Sequence, residues 1–258
     1  MKNYLNSILF ITTFFLVLLI LHPFIVLSSF FGRRALNIAV YCLCRSILLV
    51  LRIAGVKITV TGSPPEMKTH QGKPLVIVSN HQGMFDIPLI ICSFIAYFPR
   101  FIAKKELGKN IPSISATLRG TKACLIDRSD KRGATEIIEE FAHDIDNDPS
   151  PYRSCVIFPE GTRARDGKVR PFRLTGLSTL ASTIKNAVIQ PLIIDGSWLT
   201  VEHSFWPIPR GIHLTLNILP PLEAHKVAEN PIVAEEVIIK ALAKMRAEKD
   251  SDTEKTEG

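Results

Sequence analysis

Between Lys2 and Arg33 there is no Asp, Glu, Lys or Arg. So long a stretch without charge has few homes in water. A helix of about 20 apolar residues crosses a bilayer core, and a helix satisfies all its own backbone groups in lipid. Ile8 to Ser28 meets that length and predicts a membrane-inserted helix, with a kink at Pro23. A cleaved secretory leader is the rival, but the run exceeds a usual leader core and no clean small-x-small site follows it.

The next stretch, Ala35 to Val56, is also apolar but carries Arg45 and Arg52. On a helix Arg34, Arg45 and Arg52 fall within roughly 20° of one another. A basic stripe on a greasy helix suits the membrane interface, with arginines toward phosphate headgroups. Two arrangements fit: a helical pair inserted from one side, or one span followed by an interfacial helix. Arg33 and Arg34, just past the first segment, place the remainder on the cytoplasmic side by the positive-inside tendency. In a bacterium that is the inner membrane.

Beyond these helices the chain reads as one α/β domain. Apolar or alternating runs predict strands at 56–60, 74–79, 100–103, 122–126, 154–158, 188–194 and 212–219. Between them lie predicted helices at 87–97, 113–118, 135–145, 174–186 and 231–248. The alternation predicts a largely parallel central sheet flanked by helices. The expected division is 1–55 for the membrane helices, 56–250 for the domain and 251–258 for a disordered polar tail. The net charge of +7 favours an anionic partner. Nucleic acid is not that partner, since no aromatic-rich basic module or zinc spacing occurs. Cys42, Cys44, Cys92, Cys124 and Cys155 are scattered in apolar runs and read as buried free thiols, with no metal spacing.

Chemistry concentrates at three strand ends. Asn80-His81-Gln82-Gly83-Met84-Phe85-Asp86 follows the strand at 74–79. Five residues apart, His81 and Asp86 would splay on one continuous helix. They meet only if His81 sits in the turn before the helix and Asp86 in its first turn. Gly83 allows that bend, and Pro88 suits an early helical position. A carboxylate on one ring nitrogen fixes the tautomer and leaves the other nitrogen as a base. The plainer alternative is a capping Asp beside a satisfied loop His. Asp127-Arg128 ends a second strand, where Arg128 is either a second phosphate holder or an ordinary surface ion-pair partner. Phe158-Pro159-Glu160-Gly161-Thr162-Arg163 ends a third, and Arg165, Lys168, Arg170 and Arg173 follow. Arg163 can hold an anionic oxygen in a fork, or belong to a solvated basic turn. Glu160 can orient Arg163 or a substrate hydroxyl, or be a turn carboxylate.

Asn80-His81-x4-Asp86 followed by Phe158-Pro159-Glu160-Gly161-Thr162-Arg163 resembles the glycerolipid acyltransferase family, and most nearly the 1-acylglycerol-3-phosphate acyltransferases. Leu125-Ile126-Asp127-Arg128 is similar to the family's intermediate motif and Gln190-Pro191-Leu192 to its fourth. The resemblance covers roughly 56–219. It implies transfer of an acyl group from acyl-CoA or acyl carrier protein to a glycerol hydroxyl of lysophosphatidate, with no cofactor or metal. It makes His81 the general base and Asp86 its orienting partner. Arg128 and Arg163 would bind the acceptor phosphate, within a pocket shaped by Phe158, Pro159, Glu160, Gly161 and Thr162. Two departures leave the acceptor open to other lysolipids. Pro171-Phe172-Arg173-Leu174-Thr175-Gly176 has one residue more before its glycine than the family's usual pattern, and Ser115 stands where glycine is frequent. A non-catalytic binder of anionic lipid would use the same basic loop.

Overall fold

A computed structural model of the chain describes residues 2–66, 72–200, 206, 209 and 211–257. Helix α1 runs Lys2–Ser28 and, after a left-handed turn at Gly32, α2 runs Arg33–Ile53. There follow β1 Lys57–Thr61, β2 Leu75–Ser79, α3 Asp86–Ser93, β3 Arg100–Lys104, α4 Ile114–Gly120, β4 Cys124–Ile126 and α5 Lys131–Asp146. The chain continues through β5 Ser154–Ile157, α6 Leu174–Thr183, β6 Val188–Asp195, β7 His213–Ile218, β8 Leu222–Glu223, α7 Ala224–Glu229 and α8 Ile232–Glu257.

The sheet order is β1-β7-β6-β2-β5-β3-β4, with β8 paired to β6. β2, β3, β4, β5 and β6 run parallel, while β7 and β8 lie antiparallel to β6. β2 is central and buried at every position, as its unbroken Leu75-Val76-Ile77-Val78 run dictates for a strand covered on both faces. Pro191 sits in a central strand, where a missing N–H normally breaks the ladder. Here it falls between the residues of β6 that pair with β8 (Val188 and Ile189) and those that pair with β7 (Leu192 to Asp195). Its carbonyl accepts from Leu219 N at 3.1 Å, so its nitrogen faces that same gap and no bond is lost.

Two cores flank the sheet. One holds α1, α2 and α3 against Leu75, Ile77, Leu192 and Ile194; the other holds α5, α6, α7 and α8 against Val76, Val78, Ile189 and Ile193. The alternation along β2 and β6 thus assigns consecutive residues to opposite layers.

α1 and α2 form a hairpin packed on the domain. Among the described residues these are two helices long and apolar enough to cross a membrane, with 17% and 50% of their apolar windows buried. α1 leaves Phe15, Leu16, Leu19, Ile20, Phe24 and Leu27 exposed, which water does not tolerate on this scale. Its inner face is tied down: Asn6 Nδ2 donates to Ala54 O at 2.8 Å, and Ser113 N, before α4, donates to His22 Nδ1 at 2.8 Å. Arg34, Arg45 and Arg52 are all exposed along α2, as the 100° spacing requires. Arg33, one residue before that stripe, instead bonds Asp148 and donates to Tyr152 O at 2.8 Å.

Some expectations change. The helix expected at 231–248 continues through Ser251–Glu257, so the stretch expected as a disordered tail is helical. No Gly or Pro interrupts it after Pro231, and Lys244 and Glu248 pair across one turn at 3.8 Å. Gly258, the last residue of that stretch, lies outside the described residues. Cys42 is exposed rather than buried, because it shares the outward face of α2 with Arg45.

Candidate active site

β2, β5 and β6 are parallel neighbours, so the loops after Ser79, Ile157 and Asp195 leave the sheet at one edge. In open α/β sheets this carboxyl edge is where ligands bind. The register sets Val78 level with Ile157, which brings the residues beyond them, His81 and Phe158, into contact. Their rings stack with centroids 4.1 Å apart.

His81 lies in the turn before α3 and Asp86 is the first residue of α3. His81 Nδ1 is 2.7 Å from Asp86 Oδ2. The same oxygen accepts from Gln82 N at 2.7 Å and Gly83 N at 2.9 Å. An oxygen already facing two N–H donors is an acceptor, so Nδ1 carries the proton toward it and Nε2 keeps its lone pair. Asp86 is fully buried, while the His81 side chain is 14% exposed. The carboxylate is therefore sequestered and the imidazole has an open edge.

Gly83 serves this turn differently from expectation. It is absent from the left-handed residues. What it provides is close approach: a Cβ there would collide with the Ser197 hydroxyl on the loop after β6. Asn80 fixes the start of the turn. Its amide donates to Ile194 O at 2.7 Å and accepts from Ile194 N at 2.8 Å, which locks it to β6 on both sides.

Glu160 is 3% exposed and clamps two loops. Its Oε1 accepts from His81 N at 2.6 Å and its Oε2 from Arg170 N at 2.7 Å. Both oxygens thus accept from backbone N–H groups. His81 O in turn accepts from Ala164 N at 2.7 Å. Burial pushes the Glu160 carboxyl up to about 7, and Asp86 adds to the rise, against the two N–H donors. The folded state then keeps a proton that the unfolded chain releases near 4.5. Stability from this group is therefore greatest at low pH, falls as pH rises from about 4.5 to about 7, and levels above that. The fall amounts to on the order of 3 kcal/mol. Urea midpoints measured between pH 5 and 8 should decline in the wild type and decline less in Glu160→Gln. Parallel profiles would contradict the assignment.

Gly161 adopts a left-handed φ of +67° and closes the turn with its N–H on Phe158 O at 3.0 Å. A Cβ on it would come within 3.1 Å of the Arg173 guanidinium. Arg173 N donates to Pro159 O at 2.8 Å, which folds the basic segment back over the turn. Arg128, at the end of β4, is half-buried and its Nε has no partner among the described residues. Burial holds the Arg128 guanidinium below its ordinary range, and Arg173 and Arg163 push it the same way while Glu106 opposes. Arg163 and Arg173 are thus near enough to Arg128 to act on its charge, and the loop that carries both is tied to His81 O through Ala164 N. Arg163 and Thr162 are exposed, Phe158 is half-buried and Pro159 is buried. Arg173 read in sequence only as part of a charge run; its place in the cluster depends on the fold-back to Pro159.

The two sequence departures have local explanations. Ser115 is buried, donates to Leu107 O at 2.9 Å and accepts from Ile111 N at 3.0 Å, so its hydroxyl ties the turn before α4. Gly176 lies on α6 where a Cβ would come within 3.3 Å of Ile138 and Ile157, so small size is needed there despite the longer spacing.

A family model described as Acyltransferase matches residues 57–195, rather more than half of the chain. A 1-acyl-sn-glycerol-3-phosphate acyltransferase of Helicobacter pylori (strain J99) is 38% identical over 126 residues, covering 47% of this chain and 48% of that protein. One from Limnanthes douglasii is 29% identical over 175 residues, covering 67% of this chain and 57% of that protein. The chain thus spans about half the length of these curated relatives. The crystal structure of the 1-acyl-sn-glycerophosphate (LPA) acyltransferase, PlsC, from Thermotoga maritima aligns with a TM-score of 0.74 at 23% identity, over 95% of this chain and 97% of that one. At that identity the likeness establishes the fold.

Proposed function

This chain belongs to the Acyltransferase family, and from that premise we propose that it moves an acyl group from a thioester, acyl-CoA or acyl carrier protein, to the free hydroxyl of 1-acylglycerol 3-phosphate, giving phosphatidate. The carrying observation is the buried Asp86 carboxylate holding His81 Nδ1 at 2.7 Å while the imidazole keeps an open edge, on a turn whose carbonyl accepts from Ala164 N, the residue after Arg163.

The chemistry follows from those groups. A hydroxyl is a weak nucleophile until a base accepts its proton. His81 Nε2 takes that proton as the oxygen attacks the thioester carbonyl, and Asp86 stabilises the imidazolium without accepting the proton itself. The tetrahedral adduct collapses, the C–S bond breaks, and the thiolate leaves with the proton from His81. The thioester is already activated, so no acyl-enzyme is required. Three guanidiniums crowded together repel one another, and a phosphate dianion relieves that repulsion while accepting charge-assisted hydrogen bonds. Lysophosphatidate supplies such a group on the molecule that bears the hydroxyl.

The exposed apolar face of α1 and the arginine stripe of α2 support membrane association, where both acceptor and product reside. Arg33 and Arg34 after the apolar segment support a cytoplasmic placement of the domain.

The test is a donor-by-acceptor matrix on detergent-solubilised protein. Acyl-CoA and acyl carrier protein are the donors; lysophosphatidate, a zwitterionic lysolipid and a neutral lysolipid are the acceptors. Thioester consumption fastest with lysophosphatidate is expected. Preference for the zwitterion would reject phosphate recognition. Lipid binding without any thioester consumption would reject the enzyme.

A further inference from the structure

α8 lies entirely beyond residues 57–195, yet it reaches the crevice. Its buried stripe, Ala234, Ile238 and Leu242, continues at the same spacing onto Arg246 and then Lys249. Arg246 Nη2 and Nε donate to Asp195 Oδ1, at the end of β6, at 2.6 and 3.2 Å. Its Nη2 also donates to Gly167 O, on the loop that carries Arg163, at 2.8 Å. We propose that Arg246 is a positioning residue that fixes the Arg163 loop relative to His81 by bridging two crevice loops from outside the family-matched region.

The bonds form a closed circuit. Asp195 Oδ1 lies 3.5 Å from Nε2 of Gln82, the residue after His81, and the Gln82 side chain is fully buried. From Gly167 the path returns through Gly167 N to Ala164 O at 3.1 Å and Ala164 N to His81 O at 2.7 Å. Gly167 has φ +72°, and a Cβ there would collide with the Trp198 indole, so the loop runs close on that side too. Lys249 approaches the other Asp195 oxygen at 3.4 Å and donates to Thr215 Oγ1 at 3.1 Å. Burial pushes the Asp195 carboxyl up, but Arg246 and Lys249 outweigh it and hold the group below its ordinary range. Charge balance at Asp195 therefore has two sources, whereas the bond to Gly167 is made by Arg246 Nη2, which is held in place by the second bond of the same planar group, Nε to Asp195 Oδ1. A lysine side chain is shorter and its ammonium is not held in a plane by a second nitrogen.

The consequence for catalysis rests on the reading of His81 as the base and Arg163 as a phosphate ligand. A displacement of about 1 Å between such groups costs about a hundredfold in rate. The experiment compares full-length wild type, Arg246→Ala, Arg246→Lys and Lys249→Ala by thermal midpoint, by hydrogen exchange of backbone amides 161–168, and by steady-state transfer to lysophosphatidate. Arg246→Ala should speed exchange in that loop and lower kcat/KM by about tenfold to a hundredfold. Arg246→Lys should regain the midpoint but neither the exchange protection nor the turnover. Lys249→Ala should leave the loop protected, and dilute guanidinium chloride should partly restore Arg246→Ala. Full recovery of loop and turnover in Arg246→Lys, equal loosening in Lys249→Ala, or unchanged exchange in Arg246→Ala would overturn the bridge. If wild type transfers no acyl group, the functional reading fails, and the exchange data still decide the bridge.

Discussion

His81→Ala is expected to lower acyl transfer by about 10²–10⁴-fold, the range for a positioned general base, while the protein stays folded. The second half of that expectation comes from which atoms do what. The structural bonds of His81 are made by its backbone: its N–H to Glu160 and its carbonyl from Ala164 N. Alanine keeps both. The ring contributes the bond to Asp86 and the stack on Phe158, and Asp86 Oδ2 still has Gln82 N and Gly83 N when the ring is gone. Asp86→Asn is a harsher change. One end of the new amide is a donor, and with its oxygen kept at the Oδ2 position that donor falls at the Oδ1 position, which is buried and has no partner among the described residues. A buried polar group left mismatched costs about 1–3 kcal/mol, so this variant should lose stability as well as turnover. Circular dichroism and steady-state rates on both variants separate the effects. Wild-type turnover in His81→Ala would remove the base from the mechanism.

Arg163→Ala carries the next largest effect. A charge-assisted hydrogen bond contributes about 1.5–3 kcal/mol, equivalent to about 10- to 150-fold. The loss should appear in kcat/KM for lysophosphatidate and be much smaller for an acceptor without phosphate. Arg128→Ala should act in the same direction, and the double variant should fall short of the product of the two, because two arginines on one proposed phosphate would be coupled and each relieves the other's repulsion when removed. Equal losses for charged and neutral acceptors would place Arg163 in a purely structural role.

Much of this layout was legible before any coordinates. The alternation of apolar strands and helices carried the α/β sheet, and the pair of motifs carried the crevice. His81 and Asp86 could be paired because a five-residue spacing leaves one local geometry in which they touch. The arginine stripe of α2 needed nothing more than 100° per residue. Other parts were not legible. Glu160 read as an arginine or substrate partner or as a turn carboxylate, and which of these it is could not be told: both its oxygens are taken by backbone N–H groups, one of them on a loop almost eighty positions earlier. Gly83 read as a hinge, yet its role is to admit Ser197 from the loop after β6. Pro191 read as part of a motif, and its tolerance in a central strand comes from where β7 and β8 divide their pairing.

The sequence by itself determined the local terms: helix and strand periods, the membrane-seeking start, and the imidazole–carboxylate pair, because each depends on residues within one or two turns of chain. Only the tertiary structure decided which distant groups share the crevice edge. Arg173 joins Arg128 and Arg163 through a fold-back, and Arg246 meets Asp195 and Gly167 through the packing of α8 on β6. Such meetings are set by sheet order and register, which no run of neighbouring residues encodes on its own.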